Sequence, residues 1–221
     1  MQKRILSLIA AAALFSGMAA GCSEKRSSST ATVQPQSSAQ TSSASTDEEA
    51  ACMPVLSLND TSGKPGDIVD VVVSVHGAEG SWAYSGVHFA YDEELEPVMD
   101  DSLKVDFRKG SAIEDMSDFL AVNWTANGEE DRRTDEMKAN NWNSIFFCTI
   151  ATDDAGHDGD IAAFQFKIPE DAEPGKVYDL TFFYYENDMF TNVAKNQGMQ
   201  DYAFSNWVNG SITVEQNEED E

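Results

Sequence analysis

The sequence has few of the residue types from which most catalytic sites are built. It contains only three cysteines and three histidines in 221 residues. The histidines, His76, His88 and His157, are not accompanied by a nucleophile elbow, a phosphate-binding glycine loop, a paired Cys-x-x-Cys or a His-Glu-x-x-His motif. Their spacing does not support a Ser-His-Asp combination. We therefore expect a protein that is not an enzyme.

Basic residues are also scarce. Lysine and arginine together number 14, against 39 aspartates and glutamates, which gives a formal net charge of −25 at pH 7. A charge of this sign and size repels nucleic acid and anionic lipid surfaces. The composition therefore predicts no nucleic-acid partner and no direct adsorption to a membrane, and the acidity itself favours solubility.

Long hydrophobic runs are missing from the sequence. The main apolar segment of the N-terminal region, residues 5–15, is interrupted by Ser7 and is too short to span a bilayer core of about 30 Å. Two basic residues precede it and Ala-Ala-Gly-Cys22 follows it, an order typical of a secretory leader. This boundary resembles the cleavage box of bacterial lipoproteins, which implies a signal peptide over residues 1–21 and lipidation of Cys22. The alternative is an ordinary signal peptide with a cysteine nearby.

If Cys22 is lipidated, the protein is anchored at the extracellular face of the bacterial cell membrane and displayed at the cell surface. Residues 22–49 are mainly serine, threonine, alanine and glutamine, and they bury too little apolar surface to offset the entropy of ordering. We expect a disordered tether with a root-mean-square reach of about 30 Å. Residues 50–216 are then one domain, and residues 217–221 are an acidic tail.

Two further cysteines, Cys52 and Cys148, fall in predicted strands. A disulfide between them is geometrically possible, but the sequence does not determine it. Cys148 stands within the apolar segment 145–150, where a buried thiol acts as a small hydrophobic side chain. We favour two buried thiols over a disulfide.

From Cys52 onward the sequence has the pattern of β-strands separated by turns rich in glycine, proline and aspartate. The predicted strands lie at residues 54–58, 68–75, 83–91, 104–107, 119–125, 144–152, 161–168, 178–185 and 210–215. No segment has the periodicity of a convincing amphipathic helix. The pattern indicates an all-β fold, a nine-stranded β-sandwich with jelly-roll topology.

The third predicted strand has an unusual outer row. Successive side chains of a strand point to opposite faces, so one row can enter the core while the other stays outside. The inner row is Ala83, Ser85, Val87, Phe89 and Tyr91, and the outer row is Tyr84, Gly86, His88 and Ala90. The outer row carries two rings but no lysine or glutamate, which is typical of a surface that docks a partner.

Motifs around this strand point to a family. Gly63-Lys-Pro-Gly-Asp67 precedes an alternating valine strand, the next strand ends in Tyr91-Asp-x-x-Leu-x-x-Val98, and an alternating apolar strand follows at residues 159–168. In this order and spacing they resemble the cohesin modules of cellulosomal scaffoldins. The resemblance implies a monomeric receptor for the calcium-loaded dockerin of another secreted protein, in cellulosome-type assembly for plant polysaccharide degradation. It implies no cofactor in this chain, because the dockerin brings its own calcium.

In cohesins the dockerin lies on the sheet built from strands 3, 5, 6 and 8. Carried over by position, the partner-binding residues implied here are Tyr84, Gly86, His88, Asn123, Phe147, Thr149, Ala151, Phe183 and Tyr185. Cohesins usually carry Asn and Asp where this chain has Tyr84 and Gly86, which implies a different dockerin specificity. Two long insertions, residues 127–141 and 188–206, are expected to flank this face at opposite ends.

Two other interpretations stay open. The loop carboxylates Asp153, Asp154, Asp158 and Asp160 are weak candidates for calcium ligands, although their spacing lacks the ordered alternation of a calcium loop, and we expect no metal. The tryptophans Trp82, Trp124, Trp142 and Trp207 could stack on sugars in a lipid-anchored carbohydrate-binding module, or they could pack in the core. The alternation of Trp124 with Val122 favours core packing for that residue.

Overall fold

The computed structural model describes residues 52–101, 104–125 and 132–216. The predicted signal peptide, the lipidation site Cys22, the tether and the acidic tail lie outside the described residues and stay predictions. No helix within the described ranges is both long and apolar enough to cross a membrane.

Twelve strands and two short α-helices make up the described part of the chain. The strands are β1 (Val55–Leu58), β2 (Asp60–Gly63), β3 (Ile68–His76), β4 (Tyr84–Asp92), β5 (Glu96–Pro97), β6 (Phe107–Lys109), β7 (Asp118–Asn123), β8 (Trp142–Ile150), β9 (Gly159–Lys167), β10 (Val177–Phe183), β11 (Met189–Thr191) and β12 (Gly210–Val214). The helices are α1 (Asp135–Ala139) and α2 (Gln197–Ala203), and a 3₁₀ turn covers Ser111–Ile113. The predicted all-β sandwich is confirmed, whereas the count of nine strands is not. Strands β2, β5 and β11 were missed because segments of two to four residues carry too little alternation to identify.

The strands form two sheets. The smaller sheet has the order β1-β3-β9-β5, with β6 also paired to β9. The larger sheet has the order β2-β12-β10-β4-β8-β7, with β11 paired to one end of β4. The chain passes repeatedly from one sheet to the other, as expected for a jelly-roll arrangement. Strands 3, 5, 6 and 8 of the sequence prediction, now β4, β7, β8 and β10, are adjacent in the larger sheet.

Aromatic rings from both sheets fill the space between them. Phe89 of β4 and Phe147 of β8 face Phe164 of β9 in the opposite sheet, with ring centroids 5.6 Å and 6.1 Å apart. All three side chains are fully buried. Burial of a side chain of this size contributes about 1.5–3 kcal/mol. These contacts determine which alternate residues of the larger sheet point inward.

Tyr91 brings a hydroxyl into this core. Its ring packs against Phe166 at 5.0 Å, and its side chain hydrogen-bonds with that of Asn123. Burial raises the pKa of Tyr91 well above its usual range, and the hydrogen bond to Asn123 opposes that rise. A polar group in an apolar core needs such a partner, so Asn123 faces inward.

The acidic loop between β8 and β9 ties separate segments together. Asp158 accepts hydrogen bonds from the backbone N–H groups of Gly77 and Ala78 at 2.9 Å and 2.7 Å. Asp154 accepts from the N–H of Val193, and Asp160 accepts from the Ser74 hydroxyl, both at 2.7 Å. No group of three or more metal-ligating side chains occurs within the described ranges. The carboxylates serve as acceptors that join this loop to its neighbours.

The same loop approaches the core closely at Gly156. Its backbone forms a bridge with Trp82, and a Cβ atom built on Gly156 would lie 2.2 Å from the Trp82 ring. Trp82 is fully buried and donates its indole N–H to the carbonyl of His157 at 3.2 Å. Only glycine leaves room for the ring at this position.

We expect Gly156→Ala to lower the free energy of unfolding by about 1–3 kcal/mol, because a buried indole must move to admit the added methyl group. Urea denaturation followed by tryptophan fluorescence measures the change. An unchanged midpoint would show that the Trp82 ring shifts at no cost.

His157 joins three segments through its side chain. Its Nδ1 lies 2.9 Å from Glu79 and its Nε2 lies 3.0 Å from Asp115. The pKa of His157 is raised from its ordinary 6.5, first by the Glu79 carboxylate and then by Asp115. The pKa of Glu79 is lowered from its ordinary 4.5, first by the N–H of Asp158 and then by His157.

These shifts predict a window of pH for the stabilising effect. A raised histidine pKa stabilises the fold fully below 6.5, and the effect is lost as the pH rises through the folded-state value. A lowered glutamate pKa stabilises the fold above 4.5, and this effect is lost as the pH falls. We expect His157→Gln to lower the urea midpoint between these two pH values and to change it less at about pH 9. An equal loss at both pH values would contradict the ionic contribution.

Candidate functional site

The central part of the outward surface of the larger sheet is built from uncharged side chains, whereas Asp118 lies at its edge opposite Ile150 and Asp92 lies at one end. Since Phe89 and Phe147 point toward the smaller sheet, the residues next to them on each strand point away from it. We call this surface the outer face. It consists of Tyr84, Gly86, His88, Leu120, Val122, Trp124, Phe146, Cys148, Ile150, Phe183, Tyr185 and Met189.

The strand register arranges most of these residues in two rows that cross four strands. One row runs Leu120, Cys148, Gly86, Met189. The other runs Val122, Phe146, His88, Phe183. Side chains that are directly opposite on adjacent strands contact each other, so each row is a continuous apolar strip.

One end of the outer face is open to solvent. Ile150, Leu120 and Met189 are 58%, 45% and 41% exposed. Gly86 lies between them without a side chain, and a Cβ atom there would be 3.6 Å from both Met189 and Phe146. Exposed apolar side chains in a contiguous group mark interaction surfaces in soluble proteins. This end of the face is therefore suited to receive a partner.

The two insertions contribute elements at opposite ends of the outer face. Strand β11 pairs with β4 beside Tyr84. Helix α1 contacts β8, and its buried Met137 lines a cavity with Thr181 and Phe183. The predicted placement of the insertions agrees with these contacts for the described residues.

His88 occupies the closed part of the outer face. It is 3% exposed, and its Nδ1 lies 2.8 Å from Oδ1 of Asp188. The other carboxylate oxygen of Asp188 accepts the backbone N–H of Tyr185 at 2.8 Å. An ionised carboxylate is only an acceptor, so Nδ1 carries the proton in this pair. The turn after β10 thereby fixes the orientation of the imidazole.

Five of the nine predicted partner-binding residues lie on the outer face. These are Tyr84, Gly86, His88, Phe183 and Tyr185. His88 differs from a solvated ring, because aromatic side chains and Asp188 cover it. Whether these residues contact a partner stays a prediction.

The placement of the other four on the outward surface is wrong. Phe147 lies between the sheets, and Asn123 hydrogen-bonds with the core residue Tyr91. Thr149 is 1% exposed and donates to the carbonyl of Asp118 at 2.9 Å, and Ala151 packs partly against the core. A one-residue error in strand phase exchanges the two faces completely, and this error affected both β7 and β8.

Sequence reasoning missed the residues that replace them on the outer face. They are Leu120, Val122, Trp124, Phe146, Cys148, Ile150 and Met189. The segment 145–150 is apolar on both faces, so alternation gives no phase there. Pairing with β4 would have given the phase, because His88 opposite Phe146 places that ring outward.

Cys52 and Cys148 are both free thiols, as favoured from the sequence. Both are partly exposed rather than buried, and Cys148 belongs to the outer face instead of the core. Burial raises the pKa of both thiols.

The four tryptophans do not share a surface. Trp82 is fully buried, whereas Trp207 packs 5.9 Å from the core ring of Phe182. Trp124 contacts the rings of His88 and Phe146, which makes the expectation of core packing wrong for this residue. A planar sugar-stacking platform made from all four is excluded by these positions.

Comparison with known proteins agrees with this architecture. The family model of the cohesin domain matches residues 54–209. No protein of curated function is matched by the sequence. Among solved structures, the chain is similar to a type III cohesin module from the cellulosomal ScaE cell-surface anchoring scaffoldin of Ruminococcus flavefaciens. The two are 27% identical with a TM-score of 0.62, over 76% of this chain and 91% of that module.

Two cohesins solved as complexes share the fold. The sixth cohesin of Acetivibrio cellulolyticus scaffoldin B, in complex with a mutant Cel5 dockerin, is 18% identical with a TM-score of 0.54, over 73% of this chain and 99% of that one. The Coh-OlpA–Doc918 complex of Clostridium thermocellum gives 15% identity and a TM-score of 0.52, over the same shares. The family model covers well over half of the sequence, and this chain therefore belongs to the cohesin family.

Proposed function

We propose that this protein is a cell-surface receptor that binds the calcium-loaded dockerin of another secreted protein and anchors it. The observation that carries the proposal is the outer face, whose central part is uncharged across β10, β4, β8 and β7 on a protein with a formal charge of −25. Cohesin domains are non-catalytic interaction modules, and the solved cohesins of A. cellulolyticus and C. thermocellum hold dockerins. The same class of partner is carried over to this chain.

The physical properties of the face support protein binding. A sheet held by packing on its inner side reorganises little on association, which limits the entropic cost. Aromatic side chains such as Phe146, Phe183 and Tyr185 are of the type that dominates binding energy at protein interfaces. The acidic remainder of the surface disfavours apolar contacts elsewhere, so docking is directed to this one face.

Surface display has separate support. The R. flavefaciens module belongs to a cell-surface anchoring scaffoldin. In our proposal the lipid on Cys22 holds the chain at the membrane and residues 22–49 carry the domain outward. The chain acts as a monomer, and calcium is bound by the dockerin.

Calcium-dependent capture tests this function. The exported chain is immobilised and exposed to culture supernatant of the organism that encodes it, with calcium or with a chelator, and the retained proteins are identified by mass spectrometry. We expect proteins with paired calcium-loop repeats to be retained with calcium and lost with the chelator, because those repeats fold around the metal. Retention of the same proteins with calcium and with the chelator would contradict the proposal. Binding of the purified chain to insoluble cellulose or xylan would also contradict it.

A matched set of substitutions separates binding from folding. Ile150→Asp places a charge at the open end of the outer face, and we expect affinity for a captured dockerin to fall at least about tenfold with little change in stability. Ile68→Asp is the control, because Ile68 is 56% exposed on the smaller sheet. Ile68→Asp should alter neither the affinity for the dockerin nor the stability. Phe147→Ala should lower the free energy of unfolding by about 3–5 kcal/mol.

Calorimetric titration measures the affinities and urea denaturation measures the stabilities. If Ile150→Asp binds as tightly as the unaltered chain, the open end of the outer face is not the docking surface. If Phe147→Ala is as stable as the unaltered chain but no longer binds the dockerin, the assignment of Phe147 to the inner face is wrong.

A further inference from the structure

A small cleft opens on the outer face beside His88. Its volume is about 300 Å³, and its walls are His88, Trp124, Phe146, Tyr185 and the turn at residues 186–188. The centroids of the Trp124, Phe146 and Tyr185 rings lie 5.3 Å, 4.7 Å and 5.1 Å from the imidazole centroid. The cleft therefore has aromatic walls on several sides and a polar ring between them.

Two polar atoms of this cleft lack hydrogen-bond partners within the described part of the chain. They are Nε2 of His88 and Nε1 of Trp124, and both atoms are buried. Nδ1 of His88 is directed to the carboxylate of Asp188, and with its proton on Nδ1 the uncharged tautomer of imidazole presents Nε2 as an acceptor. The indole N–H of Trp124 can only donate. Since both residues line the cleft, a group that reaches these two buried atoms meets one acceptor and one donor.

The charges around the cleft select against ionic groups. Asp188 and Glu186 belong to its rim and repel an anion. The guanidinium of Arg132 stands 4.7 Å from the centre of the Trp124 ring, so a cation already covers a face of that indole. A basic side chain would also leave the Trp124 N–H unpaired, because ammonium and guanidinium groups have no acceptor.

A neutral hydroxyl meets both requirements, because it donates one hydrogen bond and accepts another. Aromatic walls favour a hydroxyl carried on a ring, which gains contact area and edge-to-face packing. We propose that the cleft is a specificity pocket for the phenol of a tyrosine side chain of the docked polypeptide. The phenol donates to Nε2 of His88 and accepts from Nε1–H of Trp124, while Asp188 positions the imidazole. That the tyrosine comes from a polypeptide rests on the proposed function.

The pocket can be tested without a dockerin. The indole N–H resonance of Trp124, assigned by its loss in Trp124→Phe, is followed by NMR while the full chain is titrated with p-cresol. Three other probes are compared with it. Toluene lacks the hydroxyl, n-butylammonium carries a positive charge, and cellobiose represents a sugar. We expect p-cresol to shift this resonance and to bind at least about tenfold more tightly than toluene.

Substitutions check the assignment to His88. His88→Phe keeps an aromatic ring but removes the acceptor, so the preference for p-cresol over toluene should fall, because only the hydrogen bond from Trp124 is left to the phenol. Ile68→Asp, on the smaller sheet, should leave p-cresol binding unchanged. If His88→Phe does not fold, Asp188→Asn, which releases the imidazole, should reduce the preference for p-cresol over toluene. Equal binding of p-cresol and toluene to the unaltered chain, or tighter binding of butylammonium or cellobiose, overturns the proposal.

The origin of the phenol is tested on a captured dockerin. Each of its tyrosines is replaced by phenylalanine, and affinity is measured for the unaltered chain and for His88→Phe. We expect one replacement to weaken binding to the unaltered chain about tenfold and to weaken binding to His88→Phe clearly less, because there only the hydrogen bond from Trp124 is lost. Absence of such coupling overturns the tyrosine assignment. The probe titration contains no dockerin, so its failure is distinguishable from a failure of calcium-dependent capture.

Discussion

The packing of the larger sheet against the smaller one controls the rest of this structure. Strand β8 and the end of β10 are apolar on both faces, so their sequences do not by themselves specify an inside and an outside. The contacts of Phe89 and Phe147 with Phe164 remove that ambiguity, because they bury one row of side chains in the core. The remaining row must then lie on the outward surface, whatever its polarity. The outer face is apolar because the core contacts bury one of two apolar rows and leave the other on the outward surface.

An apolar row that faces water is energetically unfavourable, and the two ends of the outer face differ in how far this row is covered. At one end, α1 and the turn after β10 cover part of the surface, and His88 is buried there with Asp188 as its partner. At the other end the side chains of Ile150 and Leu120 stay exposed. A charge at these positions would improve solubility of the isolated domain. Its absence is explained if a partner removes this surface from water.

The sequence alone predicts the fold class and, for one strand of the site, β4, which side chains point outward. In β4 the outer row contains Gly86 and His88 among small residues, so its phase was readable from alternation. In β8 the phase carried over by position from the cohesin resemblance places Thr149 on the outward surface. Its hydroxyl instead donates to the carbonyl of Asp118 inside the fold, and Asn123 similarly hydrogen-bonds with Tyr91. Buried polar side chains with a partner look like surface residues in a sequence, because the partner lies on a distant segment.

The cleft beside His88 was beyond sequence reasoning for the same physical reason. Its walls come from β4, from the end of β7, from β8 and from the turn after β10, which are brought together only by the sheet order. Neither Trp124 nor Asp188 is marked by local pattern, and Trp124 alternates as a core residue would. Burial converts these ordinary residues into a specific arrangement. An imidazole held by a carboxylate gains from a suitable ligand, and so does an indole N–H that has no hydrogen-bond partner among the described residues. An apolar strip supplies binding area with little selectivity, whereas a buried donor and acceptor reject ligands that cannot pair with them. The outer face combines these two properties.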